Sequence, residues 1–114
     1  MQHSLLALLE LSRKNDIPIE TIVKKTSHAV SDRYGVKNRG YIREGYWADL
    51  VLVDPNGKFE VTKDNIMYEC GWSPFQGHCF DSSIEMTFVN GSKVYERGRI
   101  LTEPQGKRLE FQHQ

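Results

Sequence analysis

Four histidines (His3, His28, His78 and His113), two cysteines (Cys70 and Cys79) and the aspartates Asp49 and Asp54 are the side chains from which a metal site, a nucleophile or a proton relay would be built. Cys70 and Cys79 lie nine positions apart in a segment rich in aromatics and glycine. Zinc there would need two further ligands, and His78 beside Cys79 is the only local candidate. The spacing matches none of the structural zinc patterns, and a single pair without a secretory signal makes no disulfide framework. Both cysteines are therefore read as reduced thiols that help a loop to pack. His28 falls near a helix start, with no second histidine at a chelating spacing, and reads as a packing or surface residue.

The frame that positions these residues centres on the run from Gly40 to Asp54. Leu50 to Val53 are four consecutive apolar residues, two of them β-branched, too few for a helix and not alternating as a half-exposed strand would. They predict a strand buried on both faces, approached through Gly40 and Gly45 and closed by the Pro55-Asn56-Gly57 turn. Asp49 and Asp54 flank it as hydrogen-bonded structural residues.

Before that strand the chain reads as helical. Ser4 is a candidate N-cap for a helix to about Lys14. Its leucines, Leu5, Leu6, Leu8, Leu9 and Leu11, fan over roughly 220° at helical spacing, wider than the apolar stripe of a helix lying on one core. Pro18 opens a second helix to about Thr26 with Ile19, Ile22 and Val23 as its stripe, and Ser27 caps a third that Gly35 stops. After the strand, Phe59-Glu60-Val61 predicts a short strand returning along an edge, 62–66 a turn, and Met67 to Phe80 an irregular aromatic loop. Ile84–Val89 and Ser92–Glu96, joined by Asn90-Gly91, predict a two-residue hairpin, because both central turn positions require positive φ. Ile100 and Leu101 add a brief strand, and the polar residues from Thr102 onward read as a frayed tail.

Bulk properties exclude several classes. The 15 basic and 15 acidic residues cancel, and they cancel by halves too, with eight basic against seven acidic over residues 1–54. That leaves no electrostatic case for nucleic acid or an anionic membrane. No apolar run approaches the ~20 residues that span a bilayer, and no basic lead-in to a signal peptide precedes Met1–Leu9. A cytoplasmic location is expected.

Two sets of residues carry a family resemblance. Gly40-x-Ile42-x-x-Gly45-x-x-Ala48-Asp49-Leu50-Val51-x-x-Asp54 resembles the segment by which amidohydrolases return from their TIM barrel to a small β-sandwich. Cys70-Gly71-Trp72-Ser73-Pro74-Phe75-x-Gly77, followed by Val89-Asn90-Gly91, resembles the C-terminal end of cyclic amidohydrolases. With Gln2-His3-Ser4-Leu5-Leu6 opening the first helix, the chain is most similar to bacterial dihydroorotases from Gln2 to about Gly98.

The resemblance implies an α+β chain: N-terminal helices over 1–39, equivalent to the last barrel helices of a truncated TIM-barrel enzyme, C-terminal sandwich strands over 40–101, and a polar tail over 102–114. It implies a zinc hydrolase of the dihydroorotate ring in pyrimidine synthesis, in which zinc-activated hydroxide attacks the ring carbonyl and an aspartate acts as general acid and base. The family's His-x-His ligand pair has no counterpart here, and its aspartate would fall before Met1. The expectation is therefore no catalytic residue, no metal ligand and no cofactor held by this chain. Gln2 and His3 alone are placed at the rim of the parent's substrate pocket. The expected partners are the missing barrel and a second copy of the chain, since the surplus leucines require cover. The alternatives are a fragment of an allantoinase or hydantoinase, and a stand-alone non-catalytic β module that binds a partner protein.

Overall fold

The computed structural model describes residues 2–112. Helix α1 (Ser4–Lys14) is followed by α2 (Ile19–Val23), a π turn (Lys24–His28) and α3 (Ala29–Tyr34). Four strands, β1 (Leu50–Asp54), β4 (Ser83–Val89), β5 (Ser92–Glu96) and β6 (Arg99–Ile100), form an antiparallel sheet in the order β1-β4-β5-β6. A separate two-stranded sheet pairs β2 (Phe59–Glu60) with β3 (Cys79–Phe80). The chain is α+β, as its sequence predicts.

Local chemistry explains most of these boundaries. Asn90 (φ 51°) and Gly91 (φ 85°) both take positive φ, the turn that matches strand twist. Arg97 (φ 45°) and Gly98 (φ 89°) repeat the device between β5 and β6. Gly35 (φ 63°) ends α3 in the left-handed conformation expected of it.

Several expectations are corrected. His3, not Ser4, occupies the N-cap position of α1, without a side-chain cap bond. Ser27 starts no new helix, because the chain runs from α2 through the π turn into α3 without leaving helical conformation. Phe59-Glu60 does not return along the main sheet; it pairs with Phe80 and Cys79, which draws the end of the aromatic loop into a sheet of its own.

The strand expected to be buried on both faces is an edge strand. It pairs with β4 alone, and Val51 and Leu52, which point to opposite faces, are 45% and 46% exposed. The described part of the tail, 102–112, is docked rather than frayed: the Lys37 amide donates to Glu110 O at 2.8 Å, the Gln112 amide donates to Gly35 O at 2.7 Å, and Val36 bridges Phe111. Its polar side chains left backbone pairing as the means of docking.

The core is small. Leu6, Val61 and Phe80 form its centre, with Ala7, Phe59, Ile66, Phe75 and Ile84 packed around them. The aromatic loop is thus covered in part by α1 of the same chain, while Trp72 (60% exposed) and Met67 (50% exposed) stay outside. The chain exposes 8596 Å², against about 6,400 Å² expected of a compact monomer of this mass. Its radius of gyration is 15.2 Å, against about 13 Å for a compact domain of this length. Both excesses say that the chain is less compact than a self-contained domain of its size.

Candidate functional site

Gln2 and His3 are drawn together, and both are engaged by the aromatic loop. The Gln2 carboxamide clasps the backbone on either side of Ile66: Nε2 donates to Asn65 O at 2.7 Å and Oε1 accepts the Met67 N–H at 2.8 Å. The Gln2 backbone N–H donates to the Tyr68 hydroxyl at 2.9 Å.

His3 is 1% exposed and ringed by Phe59, Tyr68, Phe75 and Phe80, with centroids 5.8–6.3 Å away. Its Nδ1 lies 3.1 Å from Ser73 Oγ, and that oxygen already accepts the Phe75 N–H at 3.2 Å. The Ser73 hydroxyl proton is then free to point at Nδ1, which leaves the imidazole proton on Nε2. Nε2 is buried without a partner among the described residues. Burial, with a smaller contribution from the N-terminal charge, pushes the His3 pKa below the usual 6.5 and keeps the ring neutral. Both residues border an apolar hollow of about 290 Å³ that also touches Leu6, Met67, Thr87 and Tyr95.

The other candidates are dispersed. His28 stacks on Tyr41 with centroids 4.1 Å apart. The Tyr41 hydroxyl donates to Asp32 at 2.6 Å, and that bond raises its pKa. His78 Nε2 lies 3.0 Å from both carboxylate oxygens of Glu10, tying the loop to α1. Cys70 and Cys79 are free thiols. His113 lies outside the described residues. Asp54 Oδ1 accepts the Asn56 N–H in the turn after β1, and Asp49 pairs with Arg39 and accepts the Asn90 N–H at 2.9 Å. Both aspartates are therefore hydrogen-bonded structural residues, as read from sequence.

Among the described residues no group of three or more His, Cys, Asp or Glu side chains gathers to hold a metal ion. Each described histidine is committed elsewhere: His3 to Ser73 and the rings, His28 to Tyr41, and His78 to Glu10. They do not fit a zinc site. Sequence reasoning missed Glu10 and Ser73 as the partners of His78 and His3. Glu10, the one charged residue among the leucines from Leu5 to Leu11, was the available signal.

A second feature is a cleft of about 770 Å³ between α1–α2 and the edge strand. Leu9, Ile22, Val23, Trp47, Leu50 and Val51 supply much of its wall. Arg13, His28, Tyr41 and Asp49 also line it, with His28 stacked on Tyr41 and Asp49 paired with Arg39, so the apolar wall is what the cleft leaves open for packing.

No protein-family model matches the chain. It is 34% identical over 92 residues to the allantoinase of Desulfitobacterium hafniense (strain Y51), covering 81% of this chain and 20% of that protein. It is 29% identical over 102 residues to the dihydroorotase of Pyrococcus furiosus, covering 90% of this chain and 24% of that protein. Among solved structures, an L-hydantoinase (dihydropyrimidinase) from Arthrobacter aurescens superposes with a TM-score of 0.54 and 28% identity, covering 59% of this chain and 15% of that one. These homologues are cyclic amidohydrolases of the amidohydrolase superfamily, and the chain spans about a fifth of the length of the curated relatives it matches.

Proposed function

We propose that this chain is the C-terminal portion of a dihydroorotase, a zinc hydrolase of the cyclic amide of dihydroorotate in pyrimidine biosynthesis. In this reading 1–39 supplies the last barrel helices, 40–101 supplies strands of the small sandwich, and bond cleavage belongs to the barrel. The observation that carries it is the pairing of two facts: homology confined to about a fifth of each relative, and an apolar cleft along an edge strand whose both faces are half uncovered. The chain's work is then to close and stabilise the barrel, which fills the cleft. The zinc of the parent enzyme is held by residues outside this chain, and Gln2 and His3 stand at the rim of the substrate pocket.

The test is an assay of the zinc-loaded full-length enzyme on dihydroorotate, allantoin and a hydantoin in parallel, beside the isolated chain. Turnover of dihydroorotate by the full-length enzyme and none by the chain alone is expected. Turnover by the chain alone would remove the non-catalytic reading. Hydrolysis of allantoin in preference would move the assignment to an allantoinase, a second reading supported by the 34% identity to the Desulfitobacterium protein.

A further inference from the structure

The helices α2 and α3 do not pack closely on the four-stranded sheet; the helix–helix and helix–strand pairs in extended contact are α1 with α2, α2 and α3 with the π turn, and α1 with β3. The cleft lies in the space between, so its width depends on what ties the helical arm to the sheet. One tie is the loop from Gly35 to Asp49, in which Ser31 Oγ donates to Arg39 O at 2.7 Å while Arg39 pairs with Asp49 and donates to Asn90 Oδ1 at 2.8 Å. Another is the C-terminal segment.

That segment starts beside the hairpin and ends at the arm. Asn90 Nδ2 donates to Gln105 O, Lys107 Nζ sits 4.3 Å above the Trp47 ring, and residues 110–112 pair with the backbone at the end of α3. Trp47 is itself a wall of the cleft, and Arg39 faces its ring at 5.3 Å. Gly35 leaves room for the crossing, since a Cβ there would stand 3.1 Å from Gln112 O. The segment buries little: Leu109 and Phe111 are 43% and 45% exposed. Backbone bonds, the Asn90 side chain and one cation–π contact hold it, so it belongs to the part of the fold that opens at low cost.

We propose that residues 103–112 form a releasable strap that fastens the helical arm to the hairpin and so sets the opening of the apolar cleft. The occupant of the Trp47 face is thus the chain's own tail. Undocking it frees the end of α3 and lets the arm move away from β1. The proposal stands on contacts within the chain and does not depend on which ring the parent hydrolyses.

Amide hydrogen exchange on the intact chain tests it. In the wild type the Gln112 and Lys37 amides, which are hydrogen-bonded across the strap, are expected to be protected; exchange at Gln112 at the rate of an unstructured peptide would overturn the strap. Lys107→Gln, which removes the cation and keeps most of the stem, is expected to speed exchange at Gln112 and Lys37 about two- to fivefold. The Val36 amide, bonded to Ser31 O at 2.9 Å, should follow, and binding of an apolar dye to the cleft should rise. Faster exchange at Gln112 with Val36 and dye binding unchanged would show that the strap does not govern the cleft. If the hairpin amides accelerate equally, the substitution has changed global stability instead. Trp47 emission in a Trp72→Phe background then decides: an unshifted maximum on removing the Lys107 charge would overturn the proposal, and a red shift would support it.

Discussion

The Asp49 carboxylate accepts the backbone N–H of Asn90 at 2.9 Å, a contact between residues 41 positions apart. Arg39 completes the node by pairing with Asp49 and donating to the Asn90 side chain, and the Gly91 amide donates to Ala48 O at 3.0 Å. The two stretches that carry the family resemblance, Ala48-Asp49-Leu50-Val51 and Val89-Asn90-Gly91, are thus one structural unit. Asp49→Ala strands the Arg39 guanidinium and frees the turn. It is expected to cost about 1–2 kcal/mol, with half-exposure of the carboxylate keeping the value low, as read from urea melts.

Glycine substitutions should separate into two groups. At Gly40 (φ 85°) a Cβ would stand 2.5 Å from the Ser31 Cβ and 3.1 Å from Ser27 O, against a buried serine that cannot withdraw. Gly40→Ala combines left-handed strain with overlap and should cost about 2–5 kcal/mol. Gly71 (φ 73°) faces open space, so Gly71→Ala should cost only the backbone strain, about 1–2 kcal/mol. Equal losses in thermal melts would refute the distinction.

Phe80 is fully buried and touches both α1 and the rings around His3. Phe80→Ala should cost about 3–5 kcal/mol, a large share of what so small a core can supply. Loss of near-ultraviolet dichroism with far-ultraviolet signal from the hairpin retained is the expected signature.

His3 gives the stability a pH dependence of known sign. Its folded pKa is lowered by burial from 6.5, so the unfolded chain binds the proton more readily and pulls the equilibrium toward unfolding in acid. Stability is full above pH 6.5 and falls as the pH drops from there toward the folded pKa, by at most about 1.4 kcal/mol per pH unit. His3→Phe keeps a ring in the cluster and should flatten that slope between neutral pH and the onset of carboxylate titration. A slope unchanged in this variant would show that another group carries it.

Local signals were legible wherever the physics was local. Asn90-Gly91 announced its own turn, and Gly35 its helix stop, because positive φ is a property of single residues. The leucines from Leu5 to Leu11 were legible as a helix, which buries Leu6 and Leu9 and leaves Leu11 51% exposed. What sequence could not give were pairings at long separation. Nothing near Phe59 names Phe80 as its strand partner, and nothing in the polar tail names Gly35 and Lys37 as its backbone acceptor and donor. Nor do four apolar residues in a row distinguish a strand enclosed by its own chain from one like β1, left half bare. The same ambiguity affected Gln2 and His3: their position in the family resemblance suggested a pocket rim, and their bonding to Asn65, Met67 and Ser73 appears only in three dimensions.

Self-association of the isolated chain is the expected outcome of its uncovered cleft. Size-exclusion chromatography with light scattering should give a concentration-dependent mass above 13.2 kDa, because apolar surface of this extent associates in water. A monomer across the accessible concentration range would contradict this.

The edge strand Leu50–Asp54 bears no charge before Asp54 and shows unpaired backbone along one side. Such rims recruit other chains unless something guards them. Val51→Lys would install that guard. One substitution should therefore make the free polypeptide easier to keep in solution and, on the reading proposed above, spoil the seating of the barrel against this strand. Gain in handling and loss in assembly would arise from the same few ångströms of surface.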